Sequence, residues 1–229
     1  MPWNRPGLGK WIKGPSWQPY PPIPETLALL APGARIVDVG AGGRRITADT
    51  VAVDRARVPG VDLCADIHQL CLRSDSADCV FSTGTLEHIA EPVIAVDEFW
   101  RVLKPGGLVH IEVPFMFPYH QDPGDYTRWT IDGLRAMCER RGFEQVRCGV
   151  HMGPAVALNM ALIHYARCWF EGRVMRRLSE LVLSILLRPH MYLDRFLIRR
   201  KFAHQLACGT YFVGRKVAPG QARSSSIGP

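Results

Sequence analysis

The residues best suited to chemistry are two aspartates that stand at the ends of predicted strands, beside a glycine-rich turn. Asp38 lies near the end of the β-branched run Arg35–Gly40, and the turn Gly40-Ala41-Gly42-Gly43 follows it. Glycines allow positive φ angles and let a ligand approach the backbone closely. Asp54 ends the next predicted strand, Thr50–Asp54, where it could accept hydrogen bonds from two neighbouring ribose hydroxyls. The pattern predicts a nucleoside site.

Two kinds of nucleoside ligand compete for this site. A dinucleotide fingerprint requires G-x-G-x-x-G, and here Gly40 and Gly42 fit but Arg45 takes the last position. Asp38 would also repel a pyrophosphate. A ligand with a ribose and a cationic amino-acid end suits both aspartates better, and S-adenosylmethionine is such a ligand.

Strands and helices alternate along the chain, which predicts an α/β fold with a largely parallel sheet. Further strands are predicted at Val61–Cys64, Asp78–Thr83, Leu108–Pro114, Glu144–Val150 and Thr210–Val217, and helices at Glu91–Leu103 and Thr130–Arg141, the latter with Thr130 as its N-cap. Ligands bind such sheets at the carboxyl ends of the strands, where both aspartates stand. Only about nine residues separate Gly40 from the next strand, so we expect a turn where a first crossover helix would be.

Over about residues 34–150 the chain resembles the class I S-adenosylmethionine-dependent methyltransferases of the broad "type 11" kind. The resembling pieces are IVDVGAGG, VAVD, ADIHQLCLRSDSADCVFSTGTLEHIAEP and FWRVLKPGGLVHIEVP. The resemblance implies a Rossmann-like fold with a mostly parallel seven-stranded sheet and a helical insert before the last strand. It also implies S-adenosylmethionine as the cofactor.

The resemblance implies a set of cofactor-binding residues: Asp38, Gly40, Ala41, Gly42, Asp54, Asp66, Ile67, Thr83 and Gly84. Asp38 and the glycines would line the methionine and ribose, and Asp54 would hold the ribose hydroxyls. Asp66 with Ile67 would meet the adenine, and Thr83-Gly84 would lie beside the sulfonium. The alternatives are strand-end turn formers for the first two aspartates and a helix N-cap for Asp66. One departure is Arg44, which stands where the family has its usual third glycine.

A narrower resemblance follows the fifth strand. Residues 120–130, HQDPGDYTRWT, are similar to the H-x-x-P-x-D-Y-x-R-[WF]-T stretch of a subgroup that often accompanies polysaccharide or natural-product biosynthesis genes. This favours a glycan or small-molecule acceptor, methylated on oxygen. His120 is the candidate general base, since it follows the fifth strand and histidine titrates near ~6.5. Its alternative role is a turn residue bonded to Asp122 or Asp125.

Three further residues are candidate substrate contacts: His88, Tyr126 and Arg128. His88 could instead pack at a helix start, and Tyr126 and Arg128 could knit the loop together with Asp125 through a salt bridge. His110, inside the fifth strand, is predicted to be a core or surface histidine.

The sequence disfavours methylation of nucleic-acid bases. No [ND]PP[YFW] motif follows the fourth strand, where STGTLEH stands, and no Pro-Cys nucleophile lies there. An RNA methyltransferase and a non-catalytic, membrane-associated accessory protein of the same fold stay as alternatives.

The net charge of +7 is unevenly distributed. Residues 25–166 carry −5, whereas residues 1–24 carry +3, 167–201 carry +6 and 202–229 carry +3. We predict a Pro- and Trp-rich arm over 1–24 whose prolines exclude helix, a methyltransferase domain over 25–217 and a disordered tail over 218–229.

A helical insert of about three helices is predicted over 152–206. Its apolar face would comprise Leu181, Leu183, Ile185, Leu186 and Leu187, and the basic, amphipathic stretch Met191–Lys201 follows. The insert could be a helical cap or homodimer interface, a lid over an amphiphilic or anionic substrate, or, over 172–204, a contact with an anionic membrane surface. Nucleic-acid binding is disfavoured because aromatic residues are not interleaved with the arginines.

The seven cysteines form no CxxC pair and no metal-like cluster, so we expect reduced thiols, no metal site and a cytoplasmic protein. No signal peptide is evident, and no apolar run reaches the ~18 residues of a membrane span. Peripheral membrane association is left open by the basic insert.

Overall fold

The computed structural model describes residues 22–217, which form two compact units. We call them the sheet unit (22–114, 121–149 and 210–217) and the helical unit (115–120 and 150–209). Most of the predicted arm and the whole predicted tail lie outside the described residues. The seven strands are β1 (Ile36–Val39), β2 (Val51–Asp54), β3 (Leu63–Cys64), β4 (Ala77–Thr83), β5 (Leu103–Pro114), β6 (Phe143–Met152) and β7 (Gly209–Lys216).

The strands form one mixed sheet in the order β3-β2-β1-β4-β5-β7-β6. Strands β1 to β5 pair in parallel, with Asp38 of β1 opposite Ala52 and Phe81. Strand β7 is antiparallel to β6: Cys208, before β7, donates to the carbonyl of Met152 at the end of β6. The predicted seven strands are confirmed, and the antiparallel hairpin β6–β7 makes the sheet mixed.

The sheet buries both of its faces, as the apolar runs of its central strands require. Alternate residues point to opposite faces, so Ile36, Cys79 and Phe81 join one apolar cluster, whereas Val37 and Val80 join the other. All four residues of β1 are buried. The burial fixes the register of the strand that carries Asp38.

The helices of the sheet unit are α1 (Pro22–Leu27), α2 (Pro92–Val102) and α3 (Ile131–Glu139). Thr130 is the N-cap of α3 as predicted, and its Oγ1 accepts a hydrogen bond of 3.0 Å from the Gly133 amide. Helix α1 corrects the expectation that prolines exclude helix up to residue 24. Pro22 and Pro24 stand in the first turn, where a missing N–H costs no intrahelical hydrogen bond.

The connection from β1 to β2 contains turns and no helix, over residues that the structure describes completely. The predicted loss of the first crossover helix is therefore confirmed. At the start of β5 the structure differs from the sequence prediction, because pairing with β4 begins at Leu103 and shifts register opposite Ala77 and Cys79.

The helical unit contains α4 (Pro154–Arg167), α5 (Arg173–Leu186), the short α6 (Asp194–Leu197) and 3-10 turns at Pro189–Leu193 and Ala203–Leu206. Asp194 is 1% exposed and accepts hydrogen bonds from the amides of Ala155 (2.8 Å) and Val156 (3.1 Å). Its carboxylate therefore caps the first turn of α4.

The predicted apolar face of the insert needs correction. Leu183 and Leu187 are half-buried, whereas Leu181, Ile185 and Leu186 are exposed. The five residues do not share one face, because neighbouring positions of a helix lie about 100° apart.

Candidate functional site

Asp38 is a fully buried acid on β1. Both of its carboxylate oxygens are shielded from solvent and have no hydrogen-bond partner among the described residues. Burial raises the pKa of Asp38 to about 6; Arg44 opposes the increase, and Asp54 and Glu112 add to it. Buried polar groups almost always have partners, so this carboxylate is suited to a donor that arrives with a ligand.

The glycine-rich turn after β1 combines tight packing with open space. Gly40 and Gly42 have φ angles of 77° and 55°. A Cβ at Gly40 would lie 2.2 Å from Thr85 Oγ1, whereas a Cβ at Gly42 would have nothing within 4 Å. The amides of Gly40 and Ala41 both donate to the carbonyl of Val53, at 2.9 and 3.2 Å. Packing therefore requires glycine at 40, and the open side at 42 leaves room for a ligand.

Asp54 lies at the end of β2 and holds the glycine-rich turn. Its Oδ2 accepts from the Gly42 amide at 2.8 Å, and its Oδ1 accepts from the Ala56 amide at 2.8 Å. A carboxylate has about four acceptor sites. Asp54 can therefore shape the turn and still accept hydrogen bonds from ribose hydroxyls, so its two predicted roles are compatible.

Arg44 is a residue of this site that the sequence analysis missed. Its Nη2 donates to Thr83 Oγ1 at 2.6 Å and to the Thr83 carbonyl at 3.3 Å. This bond connects the glycine-rich turn to the carboxyl end of β4, where the Gly84 amide donates to the Glu112 carbonyl at 2.9 Å. The only signal in the sequence was that an arginine replaces the usual third glycine of the turn. That replacement did not indicate which residue the arginine side chain would contact.

The pair predicted to meet adenine, Asp66 and Ile67, is divided between surface and core. Asp66 Oδ1 accepts from the His68 amide at 2.8 Å and lies 2.7 Å from His68 Nδ1, and these contacts lower its pKa. No helix follows Asp66 in this fully described segment, so the acid caps a turn and the helix N-cap alternative is wrong. Ile67 is 8% exposed and packs in the sheet-unit core. Adenine contact by either residue stays a prediction.

The loop that follows β5 is closed by an ion pair within the sheet unit. Asp125 is 1% exposed at its side chain, and Arg128 donates to both of its carboxylate oxygens, with 2.6 Å for Nη2 to Oδ2. The loop-knitting salt bridge was the alternative for Arg128, and the structure shows it. Tyr126 is 61% exposed, and its amide donates to the Glu87 carbonyl at 2.7 Å. Substrate contact by either residue stays a prediction.

His88, on the 3-10 turn Leu86–His88, is nearly buried. Its Nδ1 lies 2.6 Å from the carbonyl of Gly124. A carbonyl only accepts hydrogen bonds, so Nδ1 carries the hydrogen. Beside it, burial raises the pKa of Glu87. His88 thus anchors the loop after β5, and its predicted contact with substrate stays a prediction.

Two histidines near the end of β5 differ in environment. His110 is fully buried, with Nδ1 2.8 Å from Thr26 Oγ1 and Nε2 3.1 Å from Glu112 Oε1, which confirms a core histidine. His120 belongs to the helical unit, where its Nδ1 lies 3.2 Å from the Pro118 carbonyl and its ring contacts Phe117 edge-on. The role of general base for His120 stays a prediction.

Comparison with known families identifies the segment that carries this geometry. Residues 37–111 match a family model described as "Methyltransferase domain". This segment of the chain is similar to a methyltransferase domain. The matched segment begins within β1 and includes Asp38, the glycine-rich turn, Asp54 and the end of β4.

The curated relatives of the chain are distant. The chain is similar to an arsenite methyltransferase from Halobacterium salinarum, with 28% identity over 159 residues, 54% of this chain and 40% of that protein. It spans less than half the length of the curated relatives it matches.

Solved structures share the fold at low sequence identity. One is a Thermotoga maritima S-adenosylmethionine-dependent methyltransferase (TM-score 0.57, 14% identity, 91% of this chain and 93% of that chain). Another is the 1,6-didemethyltoxoflavin N1-methyltransferase of Burkholderia thailandensis, solved with S-adenosylhomocysteine (TM-score 0.56, 15% identity, 91% and 81%). The predicted class I methyltransferase fold is confirmed.

Proposed function

We propose that the protein binds S-adenosylmethionine at the carboxyl ends of β1, β2 and β4 and transfers its methyl group to an oxygen of a small molecule or glycan. The observation that carries the proposal is the buried carboxylate of Asp38, which has no hydrogen-bond partner among the described residues and is influenced by the charge of Arg44. The amino-acid end of the cofactor carries one ammonium and one carboxylate. Asp38 suits the ammonium and Arg44 the carboxylate, while Asp54 suits the ribose hydroxyls.

The sulfonium of the bound cofactor supplies a methyl group that is already activated for in-line displacement. The protein therefore has to align the acceptor and exclude water. The glycine-rich turn and Thr83-Gly84 orient the cofactor, since they are fixed to β2 and to Arg44 by the hydrogen bonds described above.

A hydroxyl acceptor must also lose its proton, and we assign this step to His120. The Pro118 carbonyl lies 3.2 Å from Nδ1 and can only accept, so Nδ1 carries a hydrogen, and in the neutral ring the lone pair would stand on Nε2. This neutral tautomer is the one that a general base needs.

The acceptor class rests on the His120–Thr130 stretch and on the names of relatives. The arsenite methyltransferase and the 1,6-didemethyltoxoflavin N1-methyltransferase are named for small acceptors, neither for transfer to oxygen. They support a small acceptor over a polymer. An RNA methyltransferase would instead show salt-dependent RNA binding, which the net charge of −5 over residues 25–166 opposes.

The cofactor assignment is tested by calorimetry with S-adenosylmethionine and S-adenosylhomocysteine. We expect the wild type to bind both, and Asp38→Asn and Asp54→Ala to bind each about tenfold more weakly or worse, as lost charged hydrogen bonds predict. Asp49→Asn, at an exposed position of the same connection, is the matched control. No binding by the wild type, or unchanged affinity in Asp54→Ala, contradicts the site.

The base is tested by release of S-adenosylhomocysteine with a panel of hydroxylated small molecules and glycans. His120→Gln should lower kcat by about 100-fold or more. Its affinity for S-adenosylhomocysteine should not change. A lower affinity with normal kcat would assign His120 to binding instead.

A further inference from the structure

Helix α5 of the insert turns its apolar side to the solvent. None of its fourteen residues, all within the described chain, is buried. The outward side presents seven exposed apolar side chains: Val174 (78%), Met175 (49%), Leu178 (49%), Leu181 (38%), Val182 (44%), Ile185 (63%) and Leu186 (67%). A helix on the surface of a globular protein normally turns this side to the core.

The opposite, more polar side of α5 is the one that faces the protein. Arg176, Ser179, Glu180 and Ser184 are less exposed than the seven apolar residues of the outward side. Helix α5 packs on α4, and Glu180 Oε1 accepts a 2.9 Å contact from Nε of Arg167 on α4. The apolar side of α5 is therefore exposed because the polar side packs on α4. An exposed apolar patch of this kind marks an interaction surface.

The helical unit also has exposed aromatic side chains outside α5. Trp169 is 69% exposed and contacts Tyr165 edge-on, with ring centroids 6.0 Å apart. Phe196 (68%) and Phe202 (62%) are equally exposed, farther along the helical unit. Aromatic side chains of this kind are enriched where a protein meets the boundary between hydrocarbon and water.

The charge of the same segment is strongly positive. Residues 167–201 carry nine basic and three acidic residues. Two of the acids act within the unit, because Glu180 pairs with Arg167 and Asp194 caps α4. The exposed basic side chains are Arg173, Arg177, Arg188, Arg195, Arg199, Arg200 and Lys201.

We infer that the insert lies on the surface of a bilayer that contains anionic lipid. We call the surface formed by the seven apolar residues of α5, Trp169, Phe196 and Phe202 the membrane face. Its apolar side chains would enter the acyl boundary, while the arginines would contact the headgroups. No helix of residues 22–217 is long and apolar enough to cross a membrane, so the insert lies on the bilayer.

The positive charge of the insert favours a bilayer over a second copy of the chain as the binding partner. A second copy of this chain would bring the same excess of arginines against itself, which costs free energy through repulsion. A nucleic acid would match the charge but would leave the aliphatic side chains of α5 in water. An anionic lipid surface satisfies both the charge and the apolar side chains.

Flotation of the full chain with vesicles tests the inference. We expect binding to vesicles of phosphatidylcholine and phosphatidylglycerol in equal parts, and little binding to phosphatidylcholine alone. Val174→Ser with Ile185→Ser should reduce binding at least about tenfold, since both methyl-rich side chains leave the acyl boundary. Arg199→Gln with Arg200→Gln should reduce it about fivefold per charge. Ile94→Ser and Arg57→Gln are the matched controls in the sheet unit.

A second measurement does not depend on these variants. Vesicles of brominated phosphatidylcholine and phosphatidylglycerol in equal parts should quench the part of the tryptophan fluorescence that Trp169→Phe removes. Failure to bind anionic vesicles at low salt, or binding that the α5 variants leave unchanged, overturns the inference. A third result would also overturn it: the protein does not bind vesicles but forms a dimer, and Val174→Ser with Ile185→Ser dissociates that dimer. The apolar side of α5 would then be the contact with a second copy.

Discussion

The guanidinium of Arg44 donates a 2.6 Å hydrogen bond to the hydroxyl of Thr83 and so joins the glycine-rich turn to the carboxyl end of β4. The two residues lie 39 positions apart in sequence. A glycine at position 44 could not make this connection. The positive charge that the bond fixes also favours ionisation of Asp38.

Replacement of Arg44 tests its part in cofactor binding. Arg44→Gln should weaken binding of S-adenosylhomocysteine by about tenfold to a hundredfold, the value of a charged hydrogen bond of about 1.5–3 kcal/mol. Thr83→Val removes only the hydroxyl acceptor and should have a smaller effect. Calorimetry measures both, with Arg57→Gln, an exposed arginine of the same unit, as the control. Equal affinities in Arg44→Gln and the control would contradict the assignment.

Asp38→Asn should stabilise the ligand-free protein although it impairs cofactor binding. The folded-state pKa of about 6 exceeds the ordinary value of 3.8, so the ionised acid destabilises the fold above that range. At one pKa unit per about 1.4 kcal/mol, the gain at neutral pH is at most about 3 kcal/mol. It should fall to zero only as the pH decreases well below 3.8, because Asp38 is then protonated in both states.

Denaturant unfolding of the two proteins between acidic and neutral pH measures this gain. Asp49→Asn, at an exposed site, should match the wild type throughout. A loss of stability in Asp38→Asn at neutral pH would show that the carboxylate is stabilised by contacts within the protein.

Cofactor affinity should depend on pH through Asp38. A bound ammonium favours the ionised carboxylate, so binding lowers the pKa of Asp38 from about 6 and releases a proton. Affinity for S-adenosylhomocysteine should therefore fall as the pH decreases below about 6, where the α-amino group of the ligand (about 8) stays charged. Calorimetry in buffers of different ionisation enthalpy measures the number of protons that are released on binding. A wild-type affinity that does not vary with pH would contradict this role.

The ion pair that closes the loop after β5 should contribute more to stability than an exposed pair of the same spacing. Arg128→Ala leaves the carboxylate of Asp125, 1% exposed, without its bidentate partner and should cost about 3 kcal/mol. Arg135→Ala removes the equivalent pair with Asp132, which is 83% exposed, and should cost at most about 0.5 kcal/mol. Unfolding in denaturant compares the two directly. Equal losses would mean that burial does not distinguish them.

Sequence patterns predicted the sheet and the place of Asp38 and Asp54 near its strand ends because both depend on local chemistry. A buried β-branched strand that ends in an acid and glycines, such as Ile36–Val39 with Gly40, can be read without a structure. The path of Arg44 could not be predicted, since a long side chain has many rotamers and Thr83 becomes its partner only after folding. Helix α1 was not predicted, because it has only six residues and two of them are prolines.

The sequence also did not predict which side of α5 faces the protein. Helical periodicity shows which residues share a side, and it led to a general expectation that apolar residues pack inwards. The ion pair between Glu180 and Arg167 lies on the side of α5 that meets α4, and it joins residues of two helices. Sequence alone predicted an apolar face but grouped the wrong leucines.

The hydrogen bond of 2.9 Å from Cys208 to Met152 places the two ends of the insert side by side. A segment that leaves and re-enters a sheet at adjacent points can change its length at a small free-energy cost, because the entropy of loop closure varies slowly with length. Evolution can therefore lengthen, shorten or exchange this segment as a cassette, and an engineer can do the same. The sheet and the insert can then change independently of each other.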